Sequence, residues 1–383
     1  MSSRPLRRRD FLLSSAGLAA ASCGGPGPRQ SAPVKPSPRP LVLLHFGGGS
    51  ASFAGLAALA GELRLLATYL PEADAAVWMD SPAAPAGMLR RAFPNVALLG
   101  SEQPAQLDGA IERAGLLLCA SGASDAARAA LEAWRKRTRK PYGILGAGAA
   151  QPVRGLRELL EGAAFVFARE TRSLEVLKQA GIRGPALAFA PDGAFSFRIA
   201  DEERAREFLG RSGLEPKRFL AVAPGPGSGG ARLLDALESW VRRTGWKVLL
   251  LPPADIDLPA AIQRHAVRRA GSWLPDEAAP VLRRAVAAMG LDCAPLILAA
   301  ANDTPPMYLH HRGAGSEGQI WKDIGLGRWH FHLEKATGRQ LDEAVAKIQA
   351  DYAASQVDTH EAALYARKLQ GDAMRVVRQA VLG

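Results

Sequence analysis

Leu41 to Phe46 is an uninterrupted apolar run, Gly47-Gly48-Gly49-Ser50 follows it, and apolar residues then recur at helical period from about Phe53 to Tyr69. That order of strand, glycine turn and helix repeats along the chain. Short apolar runs stand at Ala75–Trp78, Val96–Leu99, Leu116–Ala120, Tyr142–Leu145, Phe165–Ala168 and Ala186–Ala190, with helical segments such as Asp125–Arg137 and Ser173–Ala180 between them. Repeated strand-helix units predict a mostly parallel sheet covered on both faces. A second series begins after Phe197. It has a helix over Asp201–Gly210, strands over Phe219–Ala223 and Lys247–Leu251, and helices over Leu233–Arg243, Leu258–Ala270 and Ala279–Met289. An apolar run at Pro295–Ala300, short strands at Met307–Leu309 and Trp329–Leu333, and helices over Leu341–Ala354 and Glu361–Val381 complete it. The expected fold class is α/β, with two Rossmann-like, doubly wound domains facing one another across a cleft. Residues 41–198 form the first domain and 199–354 the second, while 355–383 is a helix returning to the first. A ligand belongs between the carboxyl ends of the two sheets.

Composition adds limits. The chain has 383 residues, 48% apolar and 22% charged, enough for two self-sufficient cores. The formal charge of +11 suggests nucleic acid, but residues 1–40 carry seven basic residues against Asp10 alone, which leaves 41 basic against 36 acidic in the rest. No dense basic stripe remains, so no nucleic-acid partner is expected. Cys23, Cys119 and Cys293 are too few and too scattered for a disulfide framework or a cysteine-rich zinc site, and no cofactor or metal is expected.

The excess positive charge has its own explanation. Arg7-Arg8-Arg9-Asp10-Phe11-Leu12 leads into an apolar stretch reaching about Ala21, roughly the length of a signal h-region and too short to span a bilayer. It resembles a twin-arginine export signal, expected over residues 1–22. Cys23 could be lipidated after cleavage, although Ala20 stands where a lipobox usually has Leu. Residues 23–40, rich in Pro and Gly, read as a tether. The expected location is the periplasm or cell envelope, with contact to a membrane only through the signal or a lipid anchor.

Several positions could carry chemistry. Gly48, Gly49 and Ser50 can present backbone N–H groups to an anion at a helix start, or can merely let the helix pack closely on the sheet. Arg169 and Arg172, beside Glu170, follow a strand and could face the cleft or form surface ion pairs. Asp192, in Pro-Asp-Gly, suits a hinge or a ligand contact. His310, His311 and Arg312 follow a strand and are placed to meet an anion. His330, His332 and Glu334 share a strand face at period two, as metal ligands or as half-buried strand residues.

The stretch Phe165–Phe195 resembles the polysaccharide pyruvyl transferase family in Arg169-Glu170, Ser173, Gly181 and Pro191-Asp192-Gly193-Ala194-Phe195. Glu317–Phe331 is similar to the family's Trp-x-Asp-Ile-Gly-Leu region, and Leu70-Pro71-Glu72-Ala73, Trp78, Phe93-Pro94-Asn95-Val96 and Lys140-Pro141-Tyr142-Gly143 fit the same pattern. The likeness spans about residues 41–380. It implies a GT-B type fold and transfer of pyruvyl from phosphoenolpyruvate to a cell-envelope glycan. That reaction needs cations or helix N-termini for phosphate and carboxylate, an acid for the methylene carbon and a base for the sugar hydroxyl. Arg169, Arg312, Asp192 and Gly48-Gly49-Ser50 would then bind substrate, with His310 and His311 as catalytic groups. Four departures bear on this. The opening Asn-x-Gly-Asp is replaced by Phe46-Gly47-Gly48-Gly49, and Cys293 stands where a histidine is expected. Glu317 stands where a basic residue is expected, and Gly225–Gly230 replaces an arginine-rich loop. They open the alternative of a catalytically inactive member that binds glycan or a partner protein.

Overall fold

The computed structural model describes residues 39–47, 53–79, 86–100, 102–120, 125–148, 156–225, 230–252, 256–269, 273–311 and 315–383. Its first half runs β1 (Leu41–Phe46), α1 (Phe53–Tyr69), β2 (Asp74–Met79), α2 (Ala86–Ala92), β3 (Ala97–Leu99), α3 (Pro104–Arg113) and β4 (Ala114–Cys119). It continues with α4 (Asp125–Thr138), β5 (Tyr142–Ala147), α5 (Arg157–Glu161), β6 (Phe165–Ala168), α6 (Thr171–Gln179) and β7 (Ala186–Phe189). The second half runs α7 (Glu202–Ser212), β8 (Phe219–Ala223), α8 (Gly230–Thr244), β9 (Lys247–Leu250), α9 (Ala260–Gln263), β10 (Ala266–Arg268) and α10 (Pro275–Leu282). Then follow β11 (Ala287–Gly290), α11 (Cys293–Ala301), β12 (Pro306–His310), α12 (Gln319–Asp323), β13 (His330–His332), α13 (Gly338–Ala350) and α14 (Tyr352–Leu382).

The first seven strands form one sheet in the order β3-β2-β1-β4-β5-β6-β7, and the last six another, β10-β9-β8-β11-β12-β13. Neighbouring strands are parallel throughout. Such sheets are buried on both faces, which is why β1, with every residue buried, reads as a solid apolar run rather than an alternation. Strand order reverses between β1 and β4 and between β8 and β11, and in doubly wound sheets ligands bind at such reversals. One face of the first sheet packs on α3, α4 and α5 around Leu117, Trp134 and Val166. The other face shares a continuous core with the whole second half, from Leu44 and Phe195 through Phe219 to Trp321. The shared core holds Arg39–Gly383 together as one compact unit.

Three sequence expectations are corrected. The helix expected over Leu258–Ala270 is only α9, followed by the edge strand β10, which pairs Val267 with Leu249. The helix expected over Ala279–Met289 ends at Leu282, and Ala287–Gly290 is a central strand. Alanine favours helix, but here closeness decides: a Cβ on Gly290 would lie 1.9 Å from the Ala223 carbonyl oxygen, so only small residues fit between β8 and β12. The break between the last two helices falls at Asp351, whose side chain accepts the Ala354 N–H at 3.2 Å and starts α14 three residues before 355.

The small residues of α14 let it lie close to its neighbours. A Cβ on Gly371 would reach within 2.4 Å of the Tyr69 hydroxyl, and Arg378 pairs with Glu72 beyond the end of α1. Among the described residues no helix is long and apolar enough to cross a membrane. Residues 1–38, with the expected signal, tether and Cys23, lie outside the described residues.

Candidate functional site

At the carboxyl ends of both sheets lies a cleft of about 330 Å³ lined by Arg169, Asp192, Leu291, Asp292, Cys293, Ala294, Ile297, His311, Glu317 and Ile320. Arg169 is the one lysine or arginine among the described residues lining it. Its backbone N–H extends the β6 ladder to the Ala147 carbonyl at 3.2 Å, which fixes the root of the side chain at the strand's end. The guanidinium is about one-third exposed, with Nε 3.5 Å from Glu170 Oε2 and an Nη 3.8 Å from Glu317 Oε2.

Glu170 is fully buried rather than a member of a surface ion pair. Its Oε1 accepts from the Ser173 hydroxyl and from the Ser316 hydroxyl at 2.5 Å. One residue on, the Thr171 N–H and hydroxyl both donate to the Asp323 carboxylate at 2.8 Å, and Gln319 donates to the same group at 2.9 Å. Asp323, from α12, therefore caps the N-terminus of α6 from the opposite half. The Arg169-Glu170-x-x-Ser173 and Trp321–Leu326 segments, 150 residues apart in sequence, meet here. Arg172 is exposed on α6 and does not line the cleft.

Asp192 follows β7. Its Oδ1 accepts the Ala194 N–H at 2.8 Å, making the turn its sequence suggests, while its side chain also lines the cleft. Burial pushes its carboxyl above the usual aspartate range, against the opposing pull of the Ala194 bond and of Arg169. On the other wall Asp292 caps α11 by accepting the Ala294 N–H at 3.1 Å. Its carboxyl is likewise raised, by burial first and by Glu317 as well. Cys293 is buried, its thiol donates to the Glu317 carbonyl at 3.5 Å, and burial holds it well above the ordinary thiol value. It is a protonated packing residue, not a nucleophile. Gly225, just after β8, has to be glycine: its φ is 65°, and a Cβ there would press within 3.0 Å of the Asp292 backbone nitrogen.

His311 lines the cleft, but His310 does not. The His310 ring points with Tyr308, His330 and His332 from one face of β12 and β13, with centroids 5.0 to 6.3 Å apart. Burial lowers His310, and burial aided by Lys322 brings His330 down to about 4, so both are neutral at neutral pH. Among the described residues no group of three or more His, Cys, Asp and Glu side chains is arranged to hold a metal ion. A larger groove of about 800 Å³ beside β13, α13 and α14 is lined by His330 and His332 but by none of the cleft residues. Gly48, Gly49, Ser50 and Arg312 lie outside the described residues.

Sequence reasoning picked out Arg169, Asp192 and His311 but missed Asp292, Ser316 and the capping role of Asp323. It also missed Glu62, although its spacing from Leu59 and Leu66 places an acid on the apolar stripe of α1.

Comparison with solved structures agrees with the two-sheet architecture. Anabaena HepE in complex with UDP and glucose superposes with a TM-score of 0.60 at 13% identity, covering 88% of this chain and 99% of that one. UDP-N-acetylglucosamine 2-epimerase from Rickettsia bellii gives 0.56 at 14% identity, over 90% and 97%. The S. aureus MnaA–UDP complex gives 0.56 at 12%, over 85% and 90%. These likenesses show the fold, which is of the GT-B type. No curated protein matches the chain. The polysaccharide pyruvyl transferase family matches residues 86–285, more than half of the sequence and including β6, β7 and the Arg169 and Asp192 positions, so the chain belongs to that family.

Proposed function

We propose that this protein transfers a pyruvyl group from phosphoenolpyruvate to a cell-envelope glycan, with the cleft between the sheets as the active site. The observation that carries this reading is that Arg169, Asp192 and His311, from the ends of three strands, line one cavity in a member of the pyruvyl transferase family. Arg169 would hold the donor's carboxylate or phosphate through charge-assisted hydrogen bonds. Asp192, raised by burial, would supply the proton for the methylene carbon. As the C3–H bond forms from the enol π pair, the first sugar hydroxyl adds to C2 and gives its proton to His311. The second hydroxyl then displaces phosphate, which leaves with that hydroxyl's proton, and the cyclic ketal closes.

A second reading, an inactive member that binds glycan, draws support from charge. Asp192, Asp292 and Glu317 line the cleft against Arg169, and Glu317 already faces it. Burial raises the Asp192 and Asp292 carboxyls above the usual aspartate range, the direction in which a donor anion is better tolerated. The reading includes export, which the arginine cluster and apolar run before Cys23 support, so phosphoenolpyruvate would have to be supplied outside the cytoplasm.

Incubating the protein with phosphoenolpyruvate and envelope polysaccharide tests the transferase reading. Inorganic phosphate release with a matching pyruvyl mass gain on the glycan is expected. Glycan binding without either product would leave the binding reading in its place.

A further inference from the structure

Glu62 lies on the buried face of α1 with 6% of its surface exposed, among Leu59, Leu63 and Leu66. A carboxyl in such surroundings has to be paired or neutral. Its Oε2 is buried and has no hydrogen-bond partner among the described residues. The ionisable group that faces it is Asp192, itself opposed by Arg169 from β6. Helix and turn approach to backbone contact: a Cβ on Gly61 would lie 1.8 Å from the Gly193 carbonyl oxygen, and one on Gly193 would lie 2.7 Å from Glu62 Cγ.

A cavity of about 40 Å³ is lined by both Glu62 and Asp192, with Gly146, Pro191 and Gln370, and has room for a bridging water. From α14, Gln370 donates to the Pro191 and Asp192 carbonyls at 3.3 and 2.6 Å and accepts from Ser196 at 2.6 Å. Its amide is thereby committed to the turn. Asp192 stands between the two cavities, with the cleft on one side and Glu62 on the other.

We propose that Glu62 and Asp192 form a proton-sharing carboxyl pair in which Glu62 stores the proton and Asp192 presents it to the substrate in the cleft. The pair stands on geometry alone, while the identity of the proton's acceptor rests on the pyruvyl transfer proposed above. The Glu62 proton passes to the Asp192 carboxylate across the small cavity, and the Asp192 O–H bond so formed then breaks as the substrate's C–H bond forms, which leaves Asp192 again a carboxylate and Glu62 ionised. Glu62 is then reprotonated from solvent before the next turnover. Glu62 acts through Asp192 and is a positioning residue for the proton. Burial first, and the negative Asp192 second, hold its proton well above the ordinary value of 4.5. The stability it contributes is therefore fully present below that value and is lost as pH rises toward the raised one.

Infrared difference spectroscopy and thermal melting of the wild type and Glu62→Gln test the pair without any substrate. At neutral pH the wild type is expected to show the carbonyl stretch of a buried protonated carboxyl, which Glu62→Gln removes. Glu62→Gln is expected to melt higher than wild type at pH 8 and level with it near pH 4, a crossover that loss of a merely structural contact would not produce. If the band is absent from the wild type, or survives the substitution, the pair is overturned, whether or not the protein binds phosphoenolpyruvate. In turnover, Glu62→Gln is expected to lose rate toward high pH while phosphoenolpyruvate affinity stays within about twofold; an unchanged pH profile beside the expected spectrum would reject the relay. Absence of donor binding in the wild type would count against the transferase reading and leave the spectral test of the pair standing.

Discussion

The two walls of the cleft differ in where their polar groups are rooted. On the first, Arg169 grows from the end of β6, and the fully buried Glu170 beside it accepts from two serine hydroxyls. On the second, Asp292 and Cys293 sit at the head of α11, a helix apolar on all sides, with Glu317 above them. The first wall offers a cation held by the sheet; the second offers acids, a thiol and the His311 imidazole. Any anion must then be gripped mainly from the first wall. Besides His311, the second wall contributes mechanically, since Ser316 and Asp323 reach across to Glu170 and Thr171 and so hold Arg169's surroundings in place.

The sharpest way to disturb the first wall is to part α1 from the Pro191–Ser196 turn. Gly61→Ala pushes a methyl group against the Gly193 carbonyl, an overpacking expected to cost about 3 kcal/mol or more, visible as a lower denaturation midpoint with unchanged m-value. Removing the cation comes next. A hydrogen bond to a charged group is worth about 1.5 to 3 kcal/mol, so Arg169→Ala is expected to weaken phosphoenolpyruvate binding roughly ten- to a hundredfold in a calorimetric titration.

The bond between the walls is weaker and separable. Asp323→Ala removes a helix cap and is expected to cost about 1 to 2 kcal/mol in chemical denaturation. The same measurement on Asp292→Ala, a cap internal to the second wall, supplies the control. Only the Asp323 change should also loosen donor binding, and equal binding in both variants would show that the latch does not position Arg169.

The smallest effect is expected at the histidine face. His330 binds its proton only near pH 4 in the fold against an ordinary 6.5, so its contribution is present above 6.5 and lost as pH falls through 4. His330→Phe should make the acid limb of the melting profile shallower and leave donor binding intact. Weakened binding would move the active site toward β13.

Much of this was legible in the sequence. Apolar runs bounded by glycine marked most of the first sheet because strands buried on both faces contain little else. Strand β11 was hidden because its residues were chosen for the narrow gap beside Ala223 rather than for β propensity. Arg169, Asp192 and His311 stood out because each follows a strand, where ligands of such sheets bind. His310 stood out for the same reason, yet the pleat turns it to the opposite face from Leu309 and into the company of His330 and His332. The Ser316–Glu170 and Asp323–Thr171 bonds join residues more than 140 positions apart, and no local pattern announces such a meeting.

The central claim is that the cleft takes phosphoenolpyruvate on Arg169. Isothermal titration of wild type and Arg169→Ala with phosphoenolpyruvate at low ionic strength tests it most directly. Saturable binding by the wild type, weakened at least tenfold in the variant, is the predicted result. No heat of binding at millimolar donor, or equal affinity in the two proteins, would contradict it.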